Sequence, residues 1–109
     1  MKDILILIPA YNEEKGICPV VDNLRMHGYE DILVVDDGSS DRTFETAHML
    51  NIYVARHLLN RGAGNATATG FAIAKILDPE IVVTFDADGQ HDAADIAKLV
   101  EPIKRGDAN

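Results

Sequence analysis

An open parallel α/β sheet with helices on both faces is the fold class that this 109-residue sequence predicts, and three observations predict it. Four short apolar runs rich in Ile and Val recur along the chain, and stretches of helical spacing separate them. The runs are apolar throughout rather than alternating, the pattern of strands covered on both faces. The resulting order, βαβαβαβα, builds a parallel sheet because crossovers between parallel strands are strongly right-handed.

The first run, Ile4 to Ile8, leads into a loop from Pro9 to Gly16. Ile17, Val20, Val21 and Leu24 then fall at i, i+3, i+4 and i+7, so a helix begins near Cys18 with Pro19 in its first turn, where its missing N–H costs nothing. Ile32 to Val35 forms the second strand, and Ser39-Ser40-Asp41 supplies capping oxygens for a helix from Arg42 to Leu50. The third strand, Ile52 to Ala55, is followed by a helix from about Gly64 to Leu77 with Phe71, Ile73, Ala74 and Leu77 as its apolar face and Pro79 as its stop. Ile81 to Phe85 is the fourth strand. The last helix, Ala93 to Lys104, carries Ile96, Leu99, Val100 and Ile103 on one stripe.

Residues 1–109 read as one domain, because domains usually run to roughly 100–150 residues. With 47% hydrophobic and 26% charged residues the chain can bury a core. Eighteen acidic residues against ten basic ones give a formal net charge of -8, which argues against nucleic acid and against anionic membrane surfaces as partners. A phosphorylated ligand would need local neutralisation by a few basic groups or by a divalent cation. One cysteine, Cys18, makes no internal disulfide and reads as a small buried residue. Met1-Lys2-Asp3 precedes only five apolar residues, far short of the roughly 20 of a membrane span, so the sequence predicts a soluble, cytoplasmic chain.

In parallel sheets ligands sit at the carboxyl ends of the strands, and there the polar residues gather. Asp86-Ala87-Asp88-Gly89-Gln90-His91 follows the fourth strand. Asp86 and Asp88, one residue apart, can aim two carboxylates at one point, with Gln90 adding a neutral oxygen. Such hard ligands suit Mg²⁺ or Mn²⁺, and the alternative is a solvated turn with a helix cap. Asp36 and Asp37 end the second strand, where they either shape the turn through Gly38 and Ser39 or accept hydrogen bonds from a nucleobase or ribose. Tyr11 either stacks on a base, with Glu13 on a sugar hydroxyl, or packs while Asn12 caps.

Arg61-Gly62-Ala63-Gly64-Asn65 opens a helix and can present amides to an anion. It has Thr67 where the dinucleotide fingerprint has its third glycine, and it lacks the Gly-Lys-Ser/Thr ending of a P-loop. His91 is either a ligand-shell group or part of a helix entry, and His27, His48 and His57 show no recognisable spacing.

Four segments in order, Pro9-Ala10-Tyr11-Asn12-Glu13-Glu14, Val35 to Thr43, Asn60-Arg61-Gly62 and Asp86 to His91, resemble the successive motifs of the family 2 glycosyltransferases. Within that family the Asp-Ala-Asp-x-Gln-His form is similar to the polyprenyl-phosphate sugar transferases of the dolichol-phosphate mannosyltransferase type. The resemblance implies a GT-A fold, Rossmann-like, with a UDP- or GDP-linked sugar donor over the sheet and a divalent metal at its diphosphate. It implies that Pro9, Ala10, Tyr11 and Glu13 hold the nucleotide, that Val35 and Asp37 hold base and ribose, and that Asp86, Ala87 and Asp88 form the Asp-x-Asp motif. Asp86, Asp88 and Gln90 would be the metal ligands, and the cation a Lewis acid for the departing diphosphate. It also implies a lipid-phosphate acceptor, met at the cytoplasmic face of a membrane.

The sequence departs from the family pattern in two respects. Ala63 and Ala68 stand where basic residues are common, leaving Arg61 as the main basic candidate. The chain also matches only about the first half of a typical GT-A domain, so the acceptor side and the catalytic base are not among its residues, and an apolar sheet edge is expected to favour self-association. Asp92 and Asp95 read as helix N-terminal charges. The alternatives are a non-catalytic nucleotide- or metal-binding module and a sugar nucleotidyltransferase; the acidic first loop, in place of a glycine-rich basic one, argues against the second.

Overall fold

Strand β1 (Ile4–Ala10) lies at the centre of a four-stranded sheet ordered β3-β2-β1-β4, in which β2 (Ile32–Asp36), β3 (Tyr53–Arg56) and β4 (Ile81–Thr84) all run parallel to it. This computed structural model describes residues 3–104. Central position explains composition, since β1 and β2 are buried almost throughout and every one of their side chains must be apolar or internally paired. Ile4, Ile6, Ile8, Ile32 and Val34 face one side, and Leu5, Leu7, Leu33 and Val35 the other. Each such burial is worth roughly 1.5–3 kcal/mol.

Helices cover both faces. The first face takes α1 (Ile17–Met26) through Ile17, Val20, Val21 and Leu24, α2 (Thr43–His48) through Ala47, and α4 (Ile96–Lys104) through Ile96 and Val100. Among the described residues the second face takes α3 (Ala63–Leu77) alone. Here the expected apolar face needs correction, because Phe71 is exposed and the buried residues are Ala66, Gly70 and Ala74, with Ile73 and Leu77 beside them. Small residues one helical turn apart let α3 lie close to β1 and β2, and Phe71, one position past Gly70, is rotated off that face.

Other boundaries shift for local reasons. Helix α1 starts at Ile17 with Gly16 as its N-cap, and Pro19 sits in its first turn as expected. Helix α2 is shorter than the predicted 42–50, and Asn51 turns left-handed at φ 58° shortly after it. Helix α3 ends at Leu77 with Asp78 left-handed and Pro79 following. A 3₁₀ turn, Ala93–Asp95, precedes α4, where Asp92 accepts from the Ala94 N–H at 3.0 Å. Among the described residues only β1 and β2 are buried on both faces. Strands β3 and β4 form the sheet edges and are partly exposed, and Leu99 and Ile103 of the expected stripe face outward. Cys18 is half-buried rather than buried. Among the described residues no helix is long and apolar enough to cross a membrane.

Candidate functional site

The sheet order places the site. The chain proceeds from β1 outward to β2 and β3, then returns to the other side of β1 for β4, so the order reverses beside β1, and such a switch opens a crevice at the carboxyl ends. Register carries the detail. Ala10 is level with Asp36, and Asp36 with Arg56, while Leu7 is level with Thr84. Continued past the strand ends, this brings Asp86 and Ala87 beside Pro9 and Ala10, and His57 beside Asp37. A cavity of about 270 Å³ opens there, lined by Pro9, Ala10, Tyr11, Asp37, Asn60, Gly62, Ala63, Ala66 and Asp86. Segments far apart in sequence thus meet in one crevice at the N-terminus of α3.

Asp37 is the most constrained group in it. Its side chain is almost fully buried, with Oδ1 accepting from the Arg61 N–H at 2.9 Å and lying 2.7 Å from His57 Nδ1, while Oδ2 accepts from the Gly62 N–H at 2.8 Å. Burial pushes its carboxyl up, but the His57 bond and the two amides outweigh burial and hold it below the usual carboxylate range. The carboxylate also sits at the positive end of the 15-residue helix α3. Asp36 is fully buried and turns the other way. Its Oδ1 receives the Ser39 hydroxyl and amide, and Oδ2 lies 3.5 Å from Arg56 Nε, whose guanidinium stacks on Phe44 at 4.6 Å. The two aspartates left open by the sequence therefore divide between cavity and turn.

Gly38 explains why the turn after them is tight. Its φ is +70°, and a Cβ there would lie 2.5 Å from the Asn60 nitrogen and from the Leu59 carbonyl carbon. No other residue type fits both the conformation and the space.

The loop after β1 is laced to the loop after β2. Asn12 N–H donates to Ser39 Oγ at 2.9 Å, Ser40 N–H to Asn12 Oδ1 at 2.9 Å, and Glu13 N–H to Thr43 Oγ1 at 2.8 Å. Of the capping candidates Ser39, Ser40 and Asp41, it is Asp41 that accepts from the Thr43 amide, the first of α2, at 2.9 Å, while the N-cap position itself falls on Arg42. Burial raises the Asp41 carboxyl, but bonds from the Thr43 hydroxyl and amide and from the Glu14 amide bring it below its ordinary value. Tyr11 leaves about half its surface exposed at the cavity rim.

Asp86, Asp88 and Gln90 are exposed on the turn after β4. Asp88 Oδ1 accepts from the Gln90 N–H at 3.0 Å, and His91 folds back with Nε2 3.6 Å from Asp86 Oδ2 and its ring edge-on to Phe85. Gly16 abuts the Ala87 carbonyl so closely that any side chain would collide with it, which docks the start of α1 against this turn. Glu13 feels the result. Its carboxyl is pushed up by burial first, then by Asp88 and Asp41.

Among the described residues no cluster of three His, Cys, Asp or Glu side chains converges as a closed metal site. Two exposed carboxylates with an amide oxygen nearby suit an Mg²⁺-type ion instead, which takes one or two carboxylates and completes its shell with water and phosphate oxygens. Val35 and Ala87 are buried in the two core clusters, on opposite faces of the sheet, and neither they nor Glu13 and Arg61 line the cavity.

Sequence reasoning gave no role to His57 or Thr69. The available signal was position, since His57 is the first residue after β3 as Asp37 is the first after β2.

Comparison with known proteins agrees with this fold. The chain is 44% identical over 119 aligned residues to the UDP-N-acetylglucosamine–dolichyl-phosphate N-acetylglucosaminyltransferase of Methanococcus voltae, covering 94% of this chain and 47% of that protein. The chain spans less than half the length of the curated relatives it matches first. Among solved structures it resembles the mannosyltransferase of Pyrobaculum calidifontis in complex with GDP-Man and Mn²⁺, at TM-score 0.70 and 28% identity over 79% of this chain and 27% of that one. It also resembles the glucosyl-3-phosphoglycerate synthase of Mycobacterium tuberculosis in complex with Mn²⁺, UDP and glucosyl-3-phosphoglycerate, at TM-score 0.76 and 26% identity over 92% of this chain and 39% of that one. The fold is that of the GT-A glycosyltransferases. With residues 5–109 matching the model of glycosyl transferase family 2, the chain belongs to that family.

Proposed function

We propose that this chain is the donor-binding part, an N-terminal half-domain, of a metal-dependent, inverting glycosyltransferase that takes a hexose from a UDP- or GDP-linked sugar. The observation that carries the reading is the cavity at the strand-order reversal, where Pro9, Ala10 and Tyr11 from one loop meet Asp37 from a second and Asp86 from a third. Tyr11 offers a ring face to the base. Asp37 has one carboxylate lone pair left, on Oδ2, after its three internal donors, and that position suits a ribose hydroxyl or a base N–H. Val35, Ala87, Glu13 and Arg61, none of which lines the cavity, belong to the proposed site through the motifs that carry them.

Asp86, Asp88 and Gln90 are the residues that would hold Mg²⁺ or Mn²⁺. The cation supplies charge stabilisation to the departing diphosphate when bound. Arg61 is exposed and is the basic group that stands beside the diphosphate in this reading. In the whole protein a polyprenyl phosphate at the cytoplasmic face of a membrane is the proposed acceptor, supported by the dolichyl-phosphate enzyme among the relatives. The catalytic base is assigned to no residue of this chain.

Calorimetric titration with UDP and GDP, each with and without Mn²⁺, tests the reading. One diphosphate should bind only with the cation, and Asp88→Ala should abolish that binding. Binding that is indifferent to Mn²⁺, or unchanged in the variant, removes the metal from the site.

A further inference from the structure

The hydrogen bonds that hold Asp37 continue past it. His57 Nδ1 lies 2.7 Å from Asp37 Oδ1, and on the far side of the ring Nε2 lies 2.8 Å from Thr69 Oγ1 on α3. A carboxylate only accepts, so Nδ1 carries hydrogen whatever the charge on the ring. Nε2 then accepts the Thr69 hydroxyl proton when the ring is neutral and donates to the same oxygen when it is charged. The chain of bonds ties the ends of β2 and β3 to the first half of α3.

His57 is half-buried and does not line the cavity, whereas Asp37 does. Without His57, the carboxylate would be held by the adjacent amides of Arg61 and Gly62 alone, both on one loop, and would turn with that loop. We infer that His57, oriented by Thr69, is a positioning residue of the donor site, fixing the Asp37 carboxylate so that its remaining Oδ2 lone pair faces the nucleoside of a nucleoside diphosphate. The inference rests on the proposed function, and the test separates the two.

In the ligand-free, ¹⁵N-labelled chain, long-range proton–nitrogen correlation should show His57 protonated at Nδ1. Thr69→Val should move the Nε2 resonance and leave the Nδ1 proton in place. For the better of UDP and GDP with Mn²⁺, His57→Leu should weaken binding about tenfold or more, the scale on which supporting groups tune a site. His57→Asn, whose amide N–H stands where Nδ1–H stood, should stay within about threefold of wild type.

Both variants lose the Thr69 bond and the ring, so a merely structural role would weaken them equally, and that result overturns the inference. So does a bare Nδ1, or a folded His57→Leu that binds as wild type. Should His57→Leu fail to fold, Thr69→Val supplies the affinity readout, with a loss of about threefold expected and none refuting. If the wild-type chain binds no nucleoside diphosphate, the proposed function is what fails, and the tautomer still decides whether the His57–Asp37 bond exists.

Discussion

Asp37→Asn is the sharpest perturbation of this site, because the residue is only 2% exposed and its carboxylate is surrounded by donors. The amide keeps one acceptor and gains a donor. Placed with its oxygen at Oδ1, it sets an NH₂ against the Gly62 N–H; flipped, it sets the NH₂ against the Arg61 N–H. Either orientation strands a backbone donor. Bonds to a charged partner are worth roughly 1.5–3 kcal/mol each, neutral ones about 1, and a stranded buried donor costs roughly 1–3 kcal/mol. Set against the desolvation that the neutral amide escapes, the net loss is about 3 kcal/mol.

A domain of this size loses roughly 4–8 °C of melting temperature per kcal/mol, so thermal unfolding near neutral pH should shift down by about 10–25 °C. The pH dependence gives a second check. Asp37 has a lowered pKa in the folded chain, so its contribution is fully present above the ordinary carboxylate value and is lost as pH falls through the lowered one. The gap between wild type and Asp37→Asn should therefore hold steady above about pH 5 and close in more acid solution. Urea unfolding at a series of pH values measures it. A gap under about 1 kcal/mol at neutral pH, or one unchanged down to about pH 2, refutes the assignment of Asp37 as an ionised, internally bonded carboxylate.

Gly38→Ala should cost about 2 kcal/mol or more, since its Cβ would strike the Leu59–Asn60 backbone at a positive φ; a melting curve within a degree or two of wild type would show that the turn relaxes freely. Glu13→Gln should stabilise the cation-free chain at neutral pH by of order 0.5 kcal/mol, because burial and the Asp88 and Asp41 charges raise the Glu13 carboxyl. A raised carboxyl penalises folding above its folded value and not below its ordinary one, so the gain should vanish in acid, and Mn²⁺ should narrow it by offsetting Asp88. Equal melting of the two chains at every pH would count against that crowding.

Much of this arrangement is legible in the sequence because strand ends are legible. A continuous apolar run followed by acidic or glycine-rich residues marks both the buried strand and the edge on which its loop opens, and that pattern puts Pro9, Asp37 and Asp86 on one rim. Which strands are neighbours is not written in periodicity. Only the order β3-β2-β1-β4 makes His57 the lateral partner of Asp37, and no spacing rule connects residues 37, 57 and 69. The close-packed face of α3 was hidden for a related reason. Its buried residues Ala66, Gly70 and Ala74 carry almost no hydrophobic signal, while Phe71, which carries the most, points outward.

Charge ties these observations together. To bind a diphosphate as proposed, a chain of net charge -8 must dispose of its own negative field first. At this rim the disposal is uneven. Asp36 and Asp37 are met internally, by Ser39 and Arg56 on one side and by His57 and two amides on the other, and both are buried. Asp86 and Asp88 are exposed, with His91 Nε2 3.6 Å from Asp86 Oδ2, and Asp88 adds to the repulsion that Glu13 feels. A lone pyrophosphate would meet that negative rim, and the exposed Arg61 offers one charge against it. A divalent cation held by Asp86 and Asp88 changes the sign of the encounter, so metal and nucleotide should bind as one event, each raising the affinity for the other by the same factor.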